Sequence, residues 1–513
     1  MINKPIDGNF NTEADGSERF SATFLNDLID AHTRKIAPKY RKYQNLYEGK
    51  HKILKKKPAD ANKPCNRLVN DFFGQTIDNT VGYFLGNPVI LNYTEPKENK
   101  KTPEPNDVGV EFEELEDTAV QDFLDYMVID NDMADTIIEW GKEAMIKGLS
   151  HLLVYQNEES KTKVMRVSPE DMILVYKNSS TKELQYAIRL YDIDTEDTDK
   201  TTHYAEVYSV GKMELFCSSE GGATTTKGKG REFTSYEYVG EEPLIYDRIP
   251  VCTMYNNEEQ MSDLEKIESL VADYDKVLSD VSDEFSAFRN AYLMLKNMIV
   301  GEDGKKQLKD EGIIEVMENG DVKFVTKAIQ TEALENHLNR LEANIYKFSQ
   351  VPNLSDENFA GNLSGVAIRF KLFGLETKCI IKERKMEKAL RDFVRILSVP
   401  IAVSTGKIVD IVNLKVEFTR NVPNNLTEIV DTVTKLDGKV DKETLLSLLP
   451  FIDNPKEVLE KMEQEAQEAK KNSDPYSQPN MDADMANLFP NLNAVGGSNS
   501  PLNNVGADLP TNE

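Results

Sequence analysis

The sequence predicts a mixed α/β protein of several folding units, assembled around long amphipathic helices. Three observations carry that expectation. The chain has 513 residues, too many for one ordinary core, so about two to four units are expected. Short runs rich in Val, Ile and Tyr, separated by turn residues, fill the stretch from His151 to Phe216, the pattern of small sheets. Beyond Pro250, apolar residues fall at 264, 267, 271, 274, 278, 281, 285, 288, 292 and 295. That alternation of three and four predicts one long helix, roughly 50 Å at 1.5 Å per residue. A coiled-coil dimer is the other reading of such a stripe.

Taken in order, residues 1–20 read as a flexible arm, polar and acidic, without the apolar stretch of a secretory signal. Phe24, Leu25, Leu28 and Ile29, then Tyr40, Tyr43 and Tyr47, predict one or two helices broken near Pro38 and ended by Gly49. Cys65–Tyr93 predicts a helix with Leu68, Phe72, Ile77 and Val81 toward the core. A Gly86–Pro88 turn then leads into a strand over Val89–Tyr93. After the Pro- and charge-rich insert Lys97–Asp107, helices are expected over Val110–Asp130 and Met133–Gly148. Strands are expected over His151–Gln156, Met165–Val167, Met172–Tyr176, Gln185–Tyr191 and Ala205–Phe216, followed by an exposed Gly-rich loop over Ser218–Gly230.

Past the long helix, Gly301–Gly304 reads as a turn, and Ile313–Met317 with Val322–Thr326 as a hairpin across Asn319–Gly320. Leu334, Leu338, Leu341, Ile345 and Phe348 mark one face of a second helix. Val351–Gly365 interrupts the pattern, and a helix then runs from about Ser364 to Leu397, before Pro400. A strand over Val409–Arg420 precedes short helices over Thr427–Leu436, Lys442–Leu449 and Glu457–Lys471. Beyond Lys471 there is no Lys or Arg, and the Asn-, Pro- and Gly-rich composition predicts a disordered tail.

With 39% apolar residues, a mean hydropathy of -0.50 and no stretch near 18 uninterrupted apolar residues, a soluble protein without a membrane span is expected. Cys65, Cys217, Cys252 and Cys379 lie far apart and form no C-x-x-C, which favours a reduced, intracellular setting. The 88 acidic and 61 basic residues give a charge of -27. That argues against a protein that grips nucleic acid, though not against one that DNA slides past. Asn257–Lys296 holds ten acidic and four basic residues, whereas Ser364–Leu397 holds nine basic and four acidic. The basic helix reads either as pairing with acidic neighbours or as exposed to DNA.

Enzymatic motifs are missing. No phosphate-binding G-x-x-x-x-G-K-[ST] occurs; Gly301–Lys306 has the wrong spacing and no hydroxyl after the lysine. There is no H-E-x-x-H, and the five histidines are scattered. Asp192, Asp194, Glu196 and Asp197 crowd together, but the glycine and the final Glu of a calcium loop are absent, so a solvated charged loop is expected. No G-x-S-x-G appears. Neither cofactor nor metal is expected.

Four phrases carry a resemblance: YQNLYEGKHKIL (Tyr43–Leu54), KPCNRLVNDFFGQTIDNTVGYFLGNPV (Lys63–Val89), VPNLSDENFAGNLSGVAIRFKLFGLETKC (Val351–Cys379) and the stretch Phe418–Glu465 that opens FTRNVPNNLTEIV. In order and spacing, over roughly residues 24–465, the chain resembles the portal family of tailed bacteriophages, the type common in phages of Gram-positive hosts. The resemblance implies a mixed α/β portal fold and a ring at one capsid vertex, dodecameric in the virion, with a thirteen-fold form open to the chain when expressed alone. Double-stranded DNA would pass through it during packaging and ejection.

Under that resemblance, residues 21–256 would be the first part of the wing, 257–299 and 329–350 the stem helices, and 300–328 the clip. Residues 351–363 would be a tunnel loop, 364–423 the spine helix and second part of the wing, 424–471 the crown and 472–513 the tail. Ser355, Asp356, Glu357 and Asn358 would face DNA, with Pro352, Phe359, Gly361 and Gly365 as anchor and hinges. Ile313, Ile314 and Val316 would form the clip interface. Leu264, Ile267, Val271, Tyr274, Leu278 and Val281 would pack the stem. Implied partners are the terminase large subunit, which brings its own ATPase, scaffold and major capsid proteins, and a head-completion adaptor. The implied location is the virion, after assembly in the host cytoplasm. Another head–tail adaptor, or a DNA-processing enzyme, is the competing reading.

Overall fold

The computed structural model describes residues 10–12, 18–58, 63–94, 118–177, 183–195, 200–218, 235–288, 292–296, 301–302, 320–325, 331–354, 365–421 and 433–447, with isolated positions to 462. The chain divides into two units, Met1–Val422 and Pro423–Glu513.

In the first unit, strands β1 (Phe10–Thr12) and β2 (Glu18–Phe20) pair antiparallel. Helix α1 (Ala22–Ala31) is capped by Ser21, whose hydroxyl accepts from the Phe24 N–H, and it buries Phe24, Leu25, Leu28 and Ile29. The break expected near Pro38 is no gap: a π-turn, His32–Ile36, runs directly into α2 (Ala37–Tyr47), with the Ala37 N–H donating to the His32 carbonyl five residues back just ahead of Pro38, which has no N–H to offer. Gly49, at φ +72°, follows the end of α2.

Helix α3 (Phe72–Leu85) is shorter than its sequence suggests. Asp71 caps it by accepting from the Gly74 N–H at 2.9 Å, so residues 66–70 stay extended and Leu68 is exposed rather than in the core. Strand β3 (Ile90–Tyr93) follows, then α4 (Ala119–Asp130) and α5 (Met133–Lys147); the expected start of α4 lies outside the described residues.

The strands come next: β4 (Leu149–Gln156), β5 (Thr162–Val167), β6 (Met172–Tyr176), β7 (Leu184–Thr195), β8 (Lys200–Ser209), β9 (Lys212–Ser218), β10 (Tyr236–Pro243) and β11 (Val251–Tyr255). Ala205–Phe216 is thus two strands, split at Gly211, whose φ of +80° allows the tight turn. Asp192 and Asp194 lie in β7 rather than in a loop, because the β7–β8 ladder sets Asp192 opposite His203, with 2.7 Å between them.

Strands β10-β9-β8-β7-β6 form an antiparallel sheet. Its period-two alternation sends Tyr186, Ile188, Leu190, Val207 and Phe216 toward α1, while Ala187 and Tyr208 face Leu153 and Val167 of the sheet β11-β4-β5. The main core lies beyond, where Trp140, Phe73, Ile77, Phe84, Leu390 and Phe393 are buried together.

The stripe after Pro250 does not form one continuous helix. Residues 263–267 are turns, α6 spans Glu268–Phe288, and Tyr292–Lys296 is strand β12, paired with β13 (Asp321–Val325). The Tyr-Leu-Met-Leu run fits a strand as well as a helix, and a long-range partner decides the matter. The strand expected over Val322–Thr326 therefore pairs with residues assigned to the helix; Ile313–Met317 lies outside the described residues.

Helix α7 (Thr331–Ser349) buries Leu341 and Ile345, but Phe348 is 49% exposed instead of on the packed face. Helix α8 (Gly365–Ile396) and α9 (Ser398–Thr405) follow, and β14 (Leu414–Glu417) returns to pair with β3, shorter than the strand expected there. In the second unit, α10 (Lys442–Ser447) is described; the outer helices expected around it fall mainly outside the described residues.

Candidate functional site

Ser355, Asp356, Glu357, Asn358, Phe359 and Gly361, expected at the tunnel loop, and Ile313, Ile314 and Val316, expected at the clip interface, lie outside the described residues. What the structure describes is the framework that flanks them: the roots of α6 and α7, and the start of α8.

Two lysines of α8 hold those roots. Lys382 Nζ lies 2.8 Å from Asp263 Oδ1 and donates to Asn256 Oδ1; Lys378 Nζ lies 2.8 Å from Asp263 Oδ2. Lys378 also donates to the Ser349 carbonyl at the C-terminus of α7 (3.2 Å), a favourable place for a cation, and to Thr80 of α3 (3.4 Å). The segment entering α6, the end of α7 and the middle of α8 therefore meet at one buried charge cluster. Burial alone would raise the Asp263 carboxyl, but the two ammonium groups outweigh it and hold it well below the usual carboxylate range. Burial, with the second ammonium beside it, draws Lys382 down despite Asp263. Two cations share one anion.

These contacts decide between the two readings of the basic helix for part of its length. Lys378 and Lys382 pair inward, Lys385 meets Glu258 at 2.5 Å, and Arg391 and Arg395 pair with Glu387 and Asp392 on the same helix. Beside them, Arg420 makes a two-pronged contact with Glu376 (3.0 and 3.2 Å) and reaches Glu383 at 2.5 Å, fixing the end of the β14 segment to α8.

Helix α6 is held along a neighbouring side by the extended segment Asn66–Asn70. Asn66 N donates to Asp283 Oδ1 (2.5 Å), Leu68 N to Ser279 Oγ (3.0 Å) and Asn70 N to Asp275 Oδ1 (2.9 Å). Two extended residues advance about 6.7 Å and four helical residues about 6 Å, so each successive N–H finds the next helical turn. Asp275 also accepts from His51 at 2.5 Å, both residues being buried beside a cavity of about 280 Å³ bounded by Leu46, Phe73 and Ala272. Lys56 reaches Asp280 and Asp283 at 2.7 and 2.6 Å. The sequence reading missed this segment; its trace was the polar line Asp275, Ser279, Asp283, four residues apart beside the apolar stripe.

Of the residues assigned to stem packing, Leu264, Ile267 and Val271 are fully buried in the main core, the first two ahead of α6 itself. Tyr274 packs its ring against Phe72, which also meets Tyr346 of α7. Leu278 and Val281 are only half-buried although α6 and α7 pack together. Pro352 follows the buried Val351, and Gly365 opens α8. No group of three or more metal-ligating side chains occurs among the described residues, and no described helix is long and apolar enough to cross a membrane.

A family model described as phage portal protein, SPP1 Gp6-like, matches residues 26–472. The chain is 26% identical over 463 residues to the portal protein of Bacillus phage SPP1, covering 86% of each chain. It is 24% identical over 463 residues to the portal protein of Clostridium phage phiCD119, covering 85% of this chain and 94% of that one.

Proposed function

The chain belongs to the SPP1 Gp6-like family of phage portal proteins, a structural, non-catalytic family with a general role in the DNA-packaging channel, and from that membership we propose that it assembles into a closed ring at one capsid vertex. Duplex DNA passes through the ring's axis during packaging and ejection. In this reading α6 and α7 are stem helices, residues 300–328 the clip that docks the terminase large subunit and later the head-completion adaptor, and 424–471 the crown. The wing, 21–256 with 364–423, meets scaffold and major capsid proteins. Ser355, Asp356, Glu357 and Asn358 border the bore. Ile313, Ile314 and Val316 line the clip interface.

The observation that carries the ring is the state of the α6–α7 pair. The two helices pack together, yet Leu278, Val281, Leu334 and Leu338 remain half-buried and Phe285 is 56% exposed. Neighbours beside the pair complete that burial, and a ring supplies them to every copy.

Native mass measurement and negative-stain imaging of the full chain test the reading. The expected result is a twelve- or thirteen-fold ring with an axial hole. A compact dimer that hydrolyses nucleotides or cuts DNA overturns it.

A further inference from the structure

Helix α8 is apolar on two sides. One side, including Leu372, Leu375, Met386, Leu390 and Phe393, is buried in the main core. The other carries Val366, Phe370, Phe373, Ile380 and Ile381, which are 58, 77, 69, 41 and 51% exposed. Val366, Phe370 and Phe373 are spaced four and three apart, and past the exposed Thr377 the isoleucines resume the same side one heptad after Phe373, over roughly 22 Å of helix. Scattered apolar side chains on a surface need no explanation, but five on one side of a helix, two of them largely exposed phenylalanines, mark a surface suited to a partner. Toward its C-terminal end the stripe runs into Arg384 and Lys388, both exposed and without a carboxylate partner among the described residues.

The complement is present in the same unit. On the α6–α7 pair, Leu278, Val281, Phe285, Leu334 and Leu338 are incompletely covered, and Glu332 and Glu335 stand exposed on α7. We propose that the outward stripe of α8 is one half of the subunit seam and seats on the α6–α7 pair of a second copy of this chain. Apolar side chains meet apolar side chains, and Arg384 and Lys388 face Glu332 and Glu335. Two different patches meet, so the contact is head-to-tail, the kind that repeats around a ring and closes. The proposal rests on the ring reading above and adds which faces touch. A second copy is the occupant because this chain itself offers both the apolar and the charged complement.

The test uses the full chain. F370D/F373D changes side chains that one copy leaves in water, so its thermal unfolding should match the parent. Native mass measurement should then find monomers where the parent gives rings. A second set separates a seam from a folding defect: R384E/K388E should lower ring yield at least tenfold, and adding E332K/E335K to the same chain should restore it. A parent that forms no ring sinks the ring reading itself. Parental rings together with intact F370D/F373D rings leave that reading standing and overturn the seam. Rings lost in R384E/K388E but not restored by the added lysines overturn the pairing with α7.

Discussion

Asp263 and Lys382 form a buried pair, 2.8 Å apart, that joins the segment entering α6 to the middle of α8. Because Lys378 takes the other carboxylate oxygen, the three charges are not interchangeable. Removing the anion leaves two buried cations facing each other, whereas removing one cation leaves an intact pair. Asp263→Asn should therefore cost about 3–5 kcal/mol of stability, and Lys382→Met about 1 kcal/mol or less. Denaturant unfolding of both variants checks the asymmetry. Equal costs would mean that the cluster does not work as one carboxylate serving two lysines.

The same pair sets a dependence on acid. The folded Asp263 carboxyl titrates below its unfolded value, near 3.9, so its stabilisation is complete above about pH 4 and is lost as the pH falls toward the folded value. Glu143 acts in the same direction: burial raises it, but Lys147, Ser150 and Arg166 together hold it lower. Burial pushes the His151 imidazole down to about 3, so the folded state stays neutral there while the unfolded one protonates. The unfolding midpoint should therefore begin to fall below about pH 6.5, the free histidine value, and drop more steeply below about 4, where the carboxylates join it. Asp263→Asn should drop less steeply, since one linked proton is gone. An identical acid slope in the variant would remove Asp263 from the account.

How much of this was legible in the sequence depended on how far each segment's partner lay. Helices α1, α2 and α5 and the strands β4 and β6 followed from periodicity, caps and turn residues, all local signals. Residues 292–296 continued the helical stripe and still became a strand, because β13 offers a ladder that no local rule foresees. Leu68 looked like a core residue, yet backbone donors at 66, 68 and 70 are taken by side chains more than two hundred residues away. The basic helix showed its charge but not its use: Lys378 and Lys382 differ from Arg384 and Lys388 only in which side of α8 they occupy. The stretch Val351–Cys379 was legible as a family phrase, while residues 355–363 of the loop assigned to it lie outside the described residues.

The extended segment along α6 gives a local prediction. Asp275→Ala removes the acceptor of the Asn70 N–H and of His51 together, leaving buried donors unpaired, at a cost of about 2–4 kcal/mol. Amide hydrogen exchange should show the Asn66, Leu68 and Asn70 N–H groups protected in the parent. In the variant the protection of Asn70 should fall first. Fast exchange at all three positions in the parent contradicts the bonds.

Gly148 ends α5 at φ +97°, and a Cβ there would lie 2.3 Å from the Gln260 carbonyl oxygen. Gln260 is itself held at φ +56°, so it has little room to retreat. Gly148→Ala combines left-handed strain of about 1–2 kcal/mol with a backbone clash. It should lose more stability than Gly211→Ala, where nothing lies within 4 Å of the added carbon. Thermal melts of the two variants, compared directly, decide this.

The last prediction concerns the junction between α7 and α8. Helix α7 ends at Ser349, Gln350 turns the chain at φ +60°, Val351 is buried, and α8 begins at Gly365, with Lys378 of α8 donating to the Ser349 carbonyl. In the intervening segment Asp356 and Glu357 repel phosphates, Ser355 and Asn358 offer exchangeable hydrogen bonds, and no Lys or Arg is present to release counterions. Under the proposed ring, such a segment would touch duplex DNA without gripping it. Phe359 suits an anchor against a helix better than a base-stacking wedge, since stacking requires opening the duplex. Asp356→Lys with Glu357→Lys should leave ring assembly unchanged and slow or stall DNA translocation, most at low salt, where phosphate contacts are strongest. A packaging assay at two ionic strengths, on rings verified by imaging, measures it. Parental packaging rates from the double variant at both strengths would remove the physical basis for placing this acidic loop at the narrow part of the channel.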